Sequence, residues 1–255
     1  DRKTAGYQQK TPVKLVSSFT GSARMPMLII DCPSVVKNRA MFSARGAGIL
    51  GFSIFGRDKL YALNDEMELD AEGVGAFLEK HKGEQIFLFG FTFMIWQHLF
   101  GEIEKRQLKI DLSKGYLLTA GGWKKLKSEA VSDKDFKKRG GETCRIRNYV
   151  DHYGMAEQTG CIYAECECGH LHASIYSDII VRRYQDFASC GYGEPGFIQV
   201  LSCLPRSYPG HSILTEDEGL ILGEDDCPCG RKGKYIQILG RVKNAEIRGC
   251  SDTYA

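Results

Sequence analysis

The chain has no long apolar run, no excess of either charge, no internal repeat and no low-complexity stretch. Its longest uncharged apolar stretch, residues 85–97 (QIFLFGFTFMIWQ), is too short to cross a bilayer and is broken by Gly90. That stretch is expected to be core or pocket wall, with no membrane insertion. Lysine and arginine number 34 against 32 aspartate and glutamate, a net charge of +2, so the surface carries no electrostatic footprint for nucleic acid. The first six residues hold no apolar segment with a cleavage site, and a cytoplasmic location is expected. In a reducing compartment the ten cysteines read as free thiols and metal ligands, not as a disulfide framework.

What is present divides along the chain. Residues 1–25 are polar and irregular and are expected to be a loop or tail. Over residues 26–160, short apolar runs alternate with longer mixed segments, the pattern of strands joined by helices. The runs place strands at 27–30, 86–89 and 116–119, and apolar spacing near 3.6 places helices at 35–47, 71–81 and 92–105. Over residues 161–255 the texture changes to strands separated by turn signals, at 174–182, 196–201, 211–215 and 235–242. The expected fold class is therefore α/β: an open mixed sheet with flanking helices, followed by a mostly-β subdomain.

Tyr153-Gly154-Met155-Ala156-Glu157-Gln158-Thr159-Gly160 lies at the junction, where ligand crevices commonly form. It combines a ring able to stack on a base, glycines that permit close backbone approach, and a carboxylate able to hold Mg²⁺. Downstream, His211 to Gly219 reads as a strand ending in an acidic turn whose Asp217 can accept bonds from both hydroxyls of a ribose, and Gly240-Arg241 follows another strand. Taken singly, a buried tyrosine in a turn and a solvated glutamate explain the first motif as well.

In this order, Tyr-Gly-x-x-Glu, then Thr-x-Asp, then Gly-Arg, the chain resembles the adenylate-forming superfamily. Within it the resemblance is to the bacterial acyl-protein synthetases, the acid-activating component of the luminescence fatty-acid reductase complex. The carriers run from Phe89-Gly90-Phe91-Thr92-Phe93 and Gly121-Gly122-Trp123-Lys124-Lys125 through Ser207-Tyr208-Pro209-Gly210-His211 and Cys227-Pro228-Cys229-Gly230-Arg231 to Gly240–Tyr254. The resemblance implies the large domain of such enzymes without their swivelling C-terminal domain. It also implies ATP and Mg²⁺ as cofactors, a carboxylic acid as substrate and an acyl reductase subunit as partner. By the same resemblance Tyr153 packs on adenine, Gly154 belongs to the cofactor-binding set, Gly121 and Gly122 line the nucleotide pocket, Glu157 holds Mg²⁺, Asp217 and Arg241 grip the ribose, and Phe89 to Phe93 wall the acyl site. Two departures stand out. Ala156 replaces the usual threonine before the glutamate, with Gln158 as the substitute contact to the α-phosphate. The phosphate loop expected before the first strand is either a poor version at Ser17-Ser18-Phe19-Thr20-Gly21-Ser22 or is expected to lie ahead of the given sequence.

Activation of a carboxylate as an acyl-adenylate requires a second nucleophile. The resemblance assigns that role to Cys250, where Gly249 leaves the thiol accessible and Arg248 favours the thiolate; Lys243 is placed to stabilise charge at the α-phosphate. Separately, Cys166-Glu167-Cys168-Gly169-His170-Leu171-His172 and Cys227-Pro228-Cys229 supply more thiols and imidazoles than a tetrahedral Zn²⁺ needs. The preferred structural zinc set is Cys166, His172, Cys227 and Cys229, with Cys168 and His170 as alternates. Three functions compete: self-acylation at Cys250, ligation to soluble coenzyme A as in acyl- or aryl-CoA ligases, and a zinc-stapled binding module without catalysis.

Overall fold

The computed structural model describes residues 2–21, 24–37, 44–121, 130–158 and 160–242. These residues fall into two compact units, one of residues 24–150 and the other combining the N-terminal residues up to 21 with residues 151–242.

The unit of residues 24–150 is built on five parallel strands: β1 (Met25–Ile30), β2 (Gly56–Tyr61), β3 (Ile86–Phe91), β4 (Gly115–Ala120) and β5 (Asn148–Val150). Their order is β2-β1-β3-β4-β5. The central pair, β1 (MPMLII) and β3 (IFLFGF), is buried at every position, and a strand covered on both faces has no polar side to alternate. Helices α2 (Ser34–Lys37), α3 (Ala44–Phe52) and α4 (Ala71–Lys80) follow the first strands. After β3 the chain runs as α5 (Thr92–Met94), a π-helical segment (Ile95–Phe100) and α6 (Gly101–Lys105), and α7 (Asp133–Cys144) precedes β5. Asp70 caps α4 by accepting from Gly73 N–H, and Ser132 caps α7 by accepting from Asp135 N–H.

Two elements here have no signal in the apolar pattern. Strand β2 reads GRDKLY because it is an edge strand, where exposed charges are favoured; Asp58 takes a left-handed conformation, φ 46°, and β1 and β2 slip register between Pro26 and Met27. Helix α7 buries only Phe136, Gly140 and Cys144, a narrow stripe with a glycine in its middle. The sheet order has a positional consequence. The connection leaving β1 runs to β2 on one side and that leaving β3 runs to β4 on the other, so the C-terminal ends of β1 and β3 mark the switch point of the sheet.

The other unit is a curled antiparallel sheet of seven strands in the order β6-β7-β8-β12-β11-β10-β9. These are β6 (His152–Tyr153), β7 (Tyr163–Glu165), β8 (Leu171–His172), β9 (Ser177–Arg182), β10 (Gly196–Ser202), β11 (Ser212–Glu224) and β12 (Lys234–Arg241). Tyr163, Ile179, Val181, Ile198, Val200, Ile221 and Ile236 form its core. Strand β11 corrects the expected short strand and acidic turn, because it continues for 13 residues through Asp217. Its buried positions are Gly219, Ile221 and Gly223, so the inward face does not look apolar in sequence. The register shifts at Glu218/Gly219, where a Cβ on Gly219 would come within 2.6 Å of the Gln237 carbonyl.

The largest correction is at the N-terminus. Residues expected as an irregular tail form a 19-residue helix, α1 (Arg2–Thr20). Its buried stripe is Thr4, Gln8, Thr11, Leu15, Val16 and Thr20, a helical spacing carried mostly by polar residues, with Pro12 inside. Pro12 has no N–H for the Gln8 carbonyl. That stretch of backbone is met instead by Gly160, φ 94°, where a Cβ would lie 2.7 Å from Gln8 O. Gln8 Nε2 also donates to Tyr208 Oη at 2.6 Å.

Candidate functional site

In the antiparallel unit, β6 and the paired strands β11 and β12 bring three predicted residues together. Asp217 and Arg241 are cross-strand partners, and Asp217 Oδ1 lies 3.6 Å from Arg241 Nε. Tyr153 Oη donates to Asp217 Oδ2 at 2.7 Å. Behind the carboxylate, Asp217 N–H donates to Thr215 Oγ1 at 3.1 Å, and that hydroxyl donates to Ile198 O at 2.9 Å. Arg241 Nη2 is held by Glu216 Oε2 at 2.7 Å. The Asp217 side chain keeps 23% of its surface exposed, so its oxygens remain accessible as acceptors. Burial first, then the Asp217 bond, pushes the Tyr153 phenol far above its ordinary range, so it stays a neutral donor. Its ring packs beside Tyr163, centroids 6.0 Å apart.

The turn after Tyr153 behaves unevenly. A Cβ on Gly154 would lie 3.2 Å from Cys161 O, so the chain passes close to its neighbour there. Glu157 sits on the 3-10 turn Ala156–Gln158 with an exposed carboxylate, compatible with a hydrated divalent cation. Gln158 does not serve as the expected phosphate contact. It is 1% exposed, and Nε2 donates to Val200 O at 3.2 Å and Gly210 O at 2.8 Å, so its amide ties the turn to the sheet. Residues 17–20 do not form a phosphate loop either. They are the last turn of α1, where Ser18 Oγ donates to Leu15 O and Thr20 Oγ1 to Val16 O.

In the parallel unit, Gly121 follows β4 at φ 64°, a left-handed position that favours glycine, and its carbonyl accepts from Thr92 Oγ1 at 2.8 Å. Phe89 and Phe91 are both core residues of β3, Phe89 stacked on Phe52 with centroids 4.8 Å apart, and Phe93 continues the aromatic run past the strand's end. The C-terminal end of β1 also leads into a pair that the sequence pattern did not reveal. Asp31 is 1% exposed; Arg45 Nη2 donates to its Oδ1 at 3.0 Å, and Arg45 Nε lies 3.0 Å from Oδ2. Burial raises the Asp31 carboxyl above its usual range despite Arg45. A charged residue closing the apolar run MPMLII was the one signal available. Gly122, Lys243 and Cys250 lie outside the described residues.

The predicted metal ligands also converge. Cys166, His172, Cys227 and Cys229 place their ligand atoms within 4.8 Å of one another. Cys168 is exposed and lies outside this group. A cavity of about 580 Å³ beside the cluster is lined by Leu15, Phe19, His172, Ser174 and Arg231, and not by Tyr153, Asp217 or Arg241.

A parallel sheet of this order joined to a curled antiparallel sheet is the fold class of adenylate-forming enzymes. Solved structures of that class superpose on the chain. "2-Hydroxyisobutyryl-CoA Ligase" in complex with 2-HIB-AMP and CoA gives a TM-score of 0.65 at 16% identity over 94% of this chain and 50% of that one. ATP-bound MatB from Rhodopseudomonas palustris gives 0.58 at 14% identity, over 92% and 44%. A long-chain-fatty-acid-CoA ligase (FadD1) from Archaeoglobus fulgidus gives 0.56 at 16% identity, over 92% and 48%. The family model described as acyl-protein synthetase, LuxE, matches residues 3–255, and the chain belongs to that family. The long-chain-fatty-acid–luciferin-component ligase of Vibrio harveyi is 23% identical over 193 residues, 73% of this chain and 49% of that protein. The chain thus spans about half the length of the curated relative it matches. Among the described residues no helix is long and apolar enough to cross a membrane.

Proposed function

We propose that the chain belongs to an enzyme that activates a fatty acid with ATP and transfers the acyl group to its own Cys250. The observation that carries this reading is the linked Tyr153, Asp217 and Arg241 set in a member of the acyl-protein synthetase family. Asp217 offers two carboxylate oxygens to the ribose hydroxyls. Tyr153 and Arg241 fix its orientation, so little ordering is left for the moment of binding. The Tyr153 ring presents a face for adenine, and Gly154 lets the backbone approach a ligand closely there. Glu157 would hold Mg²⁺, which would supply charge neutralisation on the phosphates.

In the first half-reaction a carboxylate oxygen of the acid attacks the α-phosphorus, the bond to pyrophosphate breaks, and pyrophosphate leaves with the bonding pair. Lys243 steadies the charge that builds on the α-phosphate oxygens. In the second, the Cys250 thiolate attacks the acyl carbon, the acyl–phosphate bond breaks, and AMP departs, leaving a thioester. An acyl reductase subunit then collects the acyl group, in the cytoplasm where the thiols stay reduced. Zn²⁺ at Cys166, His172, Cys227 and Cys229 has a structural place in this reading, away from the reacting atoms.

The test is incubation of the protein, and of a form extended N-terminally to the length of its relatives, with ATP, Mg²⁺ and a panel of labelled carboxylic acids. Self-acylation gives hydroxylamine-sensitive label on the wild type and none on Cys250→Ser. Pyrophosphate exchange without protein label would move the acceptor to a soluble thiol such as coenzyme A. Absence of both from the extended protein would leave a binding module.

A further inference from the structure

The two cysteine turns of the antiparallel unit are built alike. In each, a Cys-x-Cys-Gly segment closes with the glycine N–H donating to the first cysteine's carbonyl: Gly169 to Cys166 and Gly230 to Cys227, both at 2.9 Å. Both glycines are left-handed, φ 77° and 79°. In the second turn both sulfurs reach the group and Arg231 N–H points at Cys229 Sγ, 3.5 Å away, whereas in the first only Cys166 does and Cys168 stays exposed. The two turns face each other from segments far apart in sequence, and β8 supplies the imidazole between them.

The geometry suits one ion. A tetrahedral site with metal–sulfur bonds of about 2.3 Å and a metal–nitrogen bond of about 2.0 Å has ligand–ligand edges of roughly 3.5–3.8 Å. Here Cys166 Sγ to Cys227 Sγ is 4.0 Å, Cys227 Sγ to Cys229 Sγ is 3.3 Å, and Cys229 Sγ to His172 Nε2 is 3.4 Å. Cys166, His172 and Cys227 are buried and Cys229 is partly so, which leaves little access for water as a fifth partner. Three thiolates and an imidazole select a soft divalent cation over Mg²⁺ or Ca²⁺. His170 Nδ1, 3.3 Å from Cys227 Sγ, stands outside the four as an N–H donor to that thiolate. Tyr235 stacks on both imidazoles, at centroid distances of 4.8 Å from His170 and 5.6 Å from His172, and so fixes their planes.

The same turns reach α1. Phe19 packs against Cys166, Cys227 and Tyr235. The Arg231 guanidinium lies 3.6 Å from the centroid of the Phe19 ring, and Nη2 donates to Ser18 O at 2.6 Å. Ser18 O is one of the last helix carbonyls, which lack intrahelical partners, so Arg231 caps the helix with a cation. The cavity of about 580 Å³ beside this contact shows that the end of α1 is not packed all round. We propose that Cys166, His172, Cys227 and Cys229 form a closed zinc site whose second turn, through Arg231, clamps the C-terminal end of α1 to the antiparallel sheet.

The experiment is metal analysis of the protein purified without a metal-affinity step, followed by hydrogen exchange. The wild type is expected to carry about one zinc per chain. Co²⁺ exchanged into the site is expected to show the intense visible bands of a tetrahedral thiolate centre. Cys227→Ser is expected to lose the metal about tenfold, while Cys168→Ser and Cys190→Ser keep it. Arg231→Ala is expected to keep zinc and yet raise amide exchange in residues 15–20 about tenfold, as stripping the metal with a mercurial does. Wild-type protein that neither holds zinc nor takes up Co²⁺, or Cys227→Ser that keeps full zinc, would overturn the site. Loss of metal from Cys168→Ser would overturn the ligand set, and unchanged exchange in α1 after metal removal would overturn the clamp.

Discussion

Strands β1 and β3 of the parallel sheet are buried at every residue and contain no charged side chain, whereas β11 of the antiparallel sheet carries Glu216, Asp217, Glu218 and Glu224 and reaches its neighbours partly through polar bonds. The first sheet is specified by apolar volume. The second is specified by a smaller core together with defined polar contacts: Tyr153 to Asp217, Gln158 to two carbonyls, and the cysteine turns. Tyr153, Asp217 and Arg241 sit in the region where polar bonds already set the geometry. That region can tune a ligand's grip by one hydroxyl or one carboxylate without repacking a core.

The largest effect should come from the apolar side of this comparison. Phe87 is fully buried, edge-on to Phe55 at 5.7 Å, and Phe87→Ala is expected to cost about 3–5 kcal/mol in urea denaturation. A cost under about 1 kcal/mol would break the distinction between the two sheets. Next comes pH. His152, beside Tyr153 in β6, has its imidazole pushed down to about 4 by burial, against about 6.5 in an unfolded chain. Its contribution is present above pH 6.5 and is lost as pH falls toward 4, on the order of 2–3 kcal/mol, and His152→Gln should flatten that slope. Asp31 in the parallel unit runs in the opposite sense. Its raised carboxyl stabilises most at low pH, below its unfolded value, and loses that contribution as pH rises through the folded one. The smallest effect is expected for Tyr153→Phe, which removes one bond to Asp217, costs about 1 kcal/mol of stability, and weakens ATP binding roughly fivefold by calorimetry.

What was legible follows the same division. The apolar strands β1, β3 and β4 and the helices beginning at Ala71 and Thr92 could be read because apolar runs carry them, while the expected mixed sheet is parallel throughout and the pairing of Asp217 with Arg241 emerged only from the structure. The convergence of Cys166, His172, Cys227 and Cys229 could be read because ligand types are few and tightly spaced. Helix α1 was hidden because Thr4, Gln8, Thr11 and Thr20 form its buried stripe, and polar residues at helical spacing leave no hydropathy signal. Strand β2 was hidden by the charges that protect an edge, and the second half of β11 by the glycines on its inward face. The Asp31–Arg45 pair was invisible because its partners come from separate elements and meet only through packing.

The most direct test is calorimetric ATP binding to the protein carrying its full chain, comparing wild type with Asp217→Asn. The substitution keeps the shape and removes the charge that accepts both hydroxyls, and charge-assisted bonds contribute about 1.5–3 kcal/mol each. A 10- to 100-fold rise in Kd, with a loss of stability no larger than about 1 kcal/mol, is the predicted result. An affinity within about twofold of the wild type, measured in a protein that binds ATP saturably, would contradict the placement of the nucleotide on Asp217.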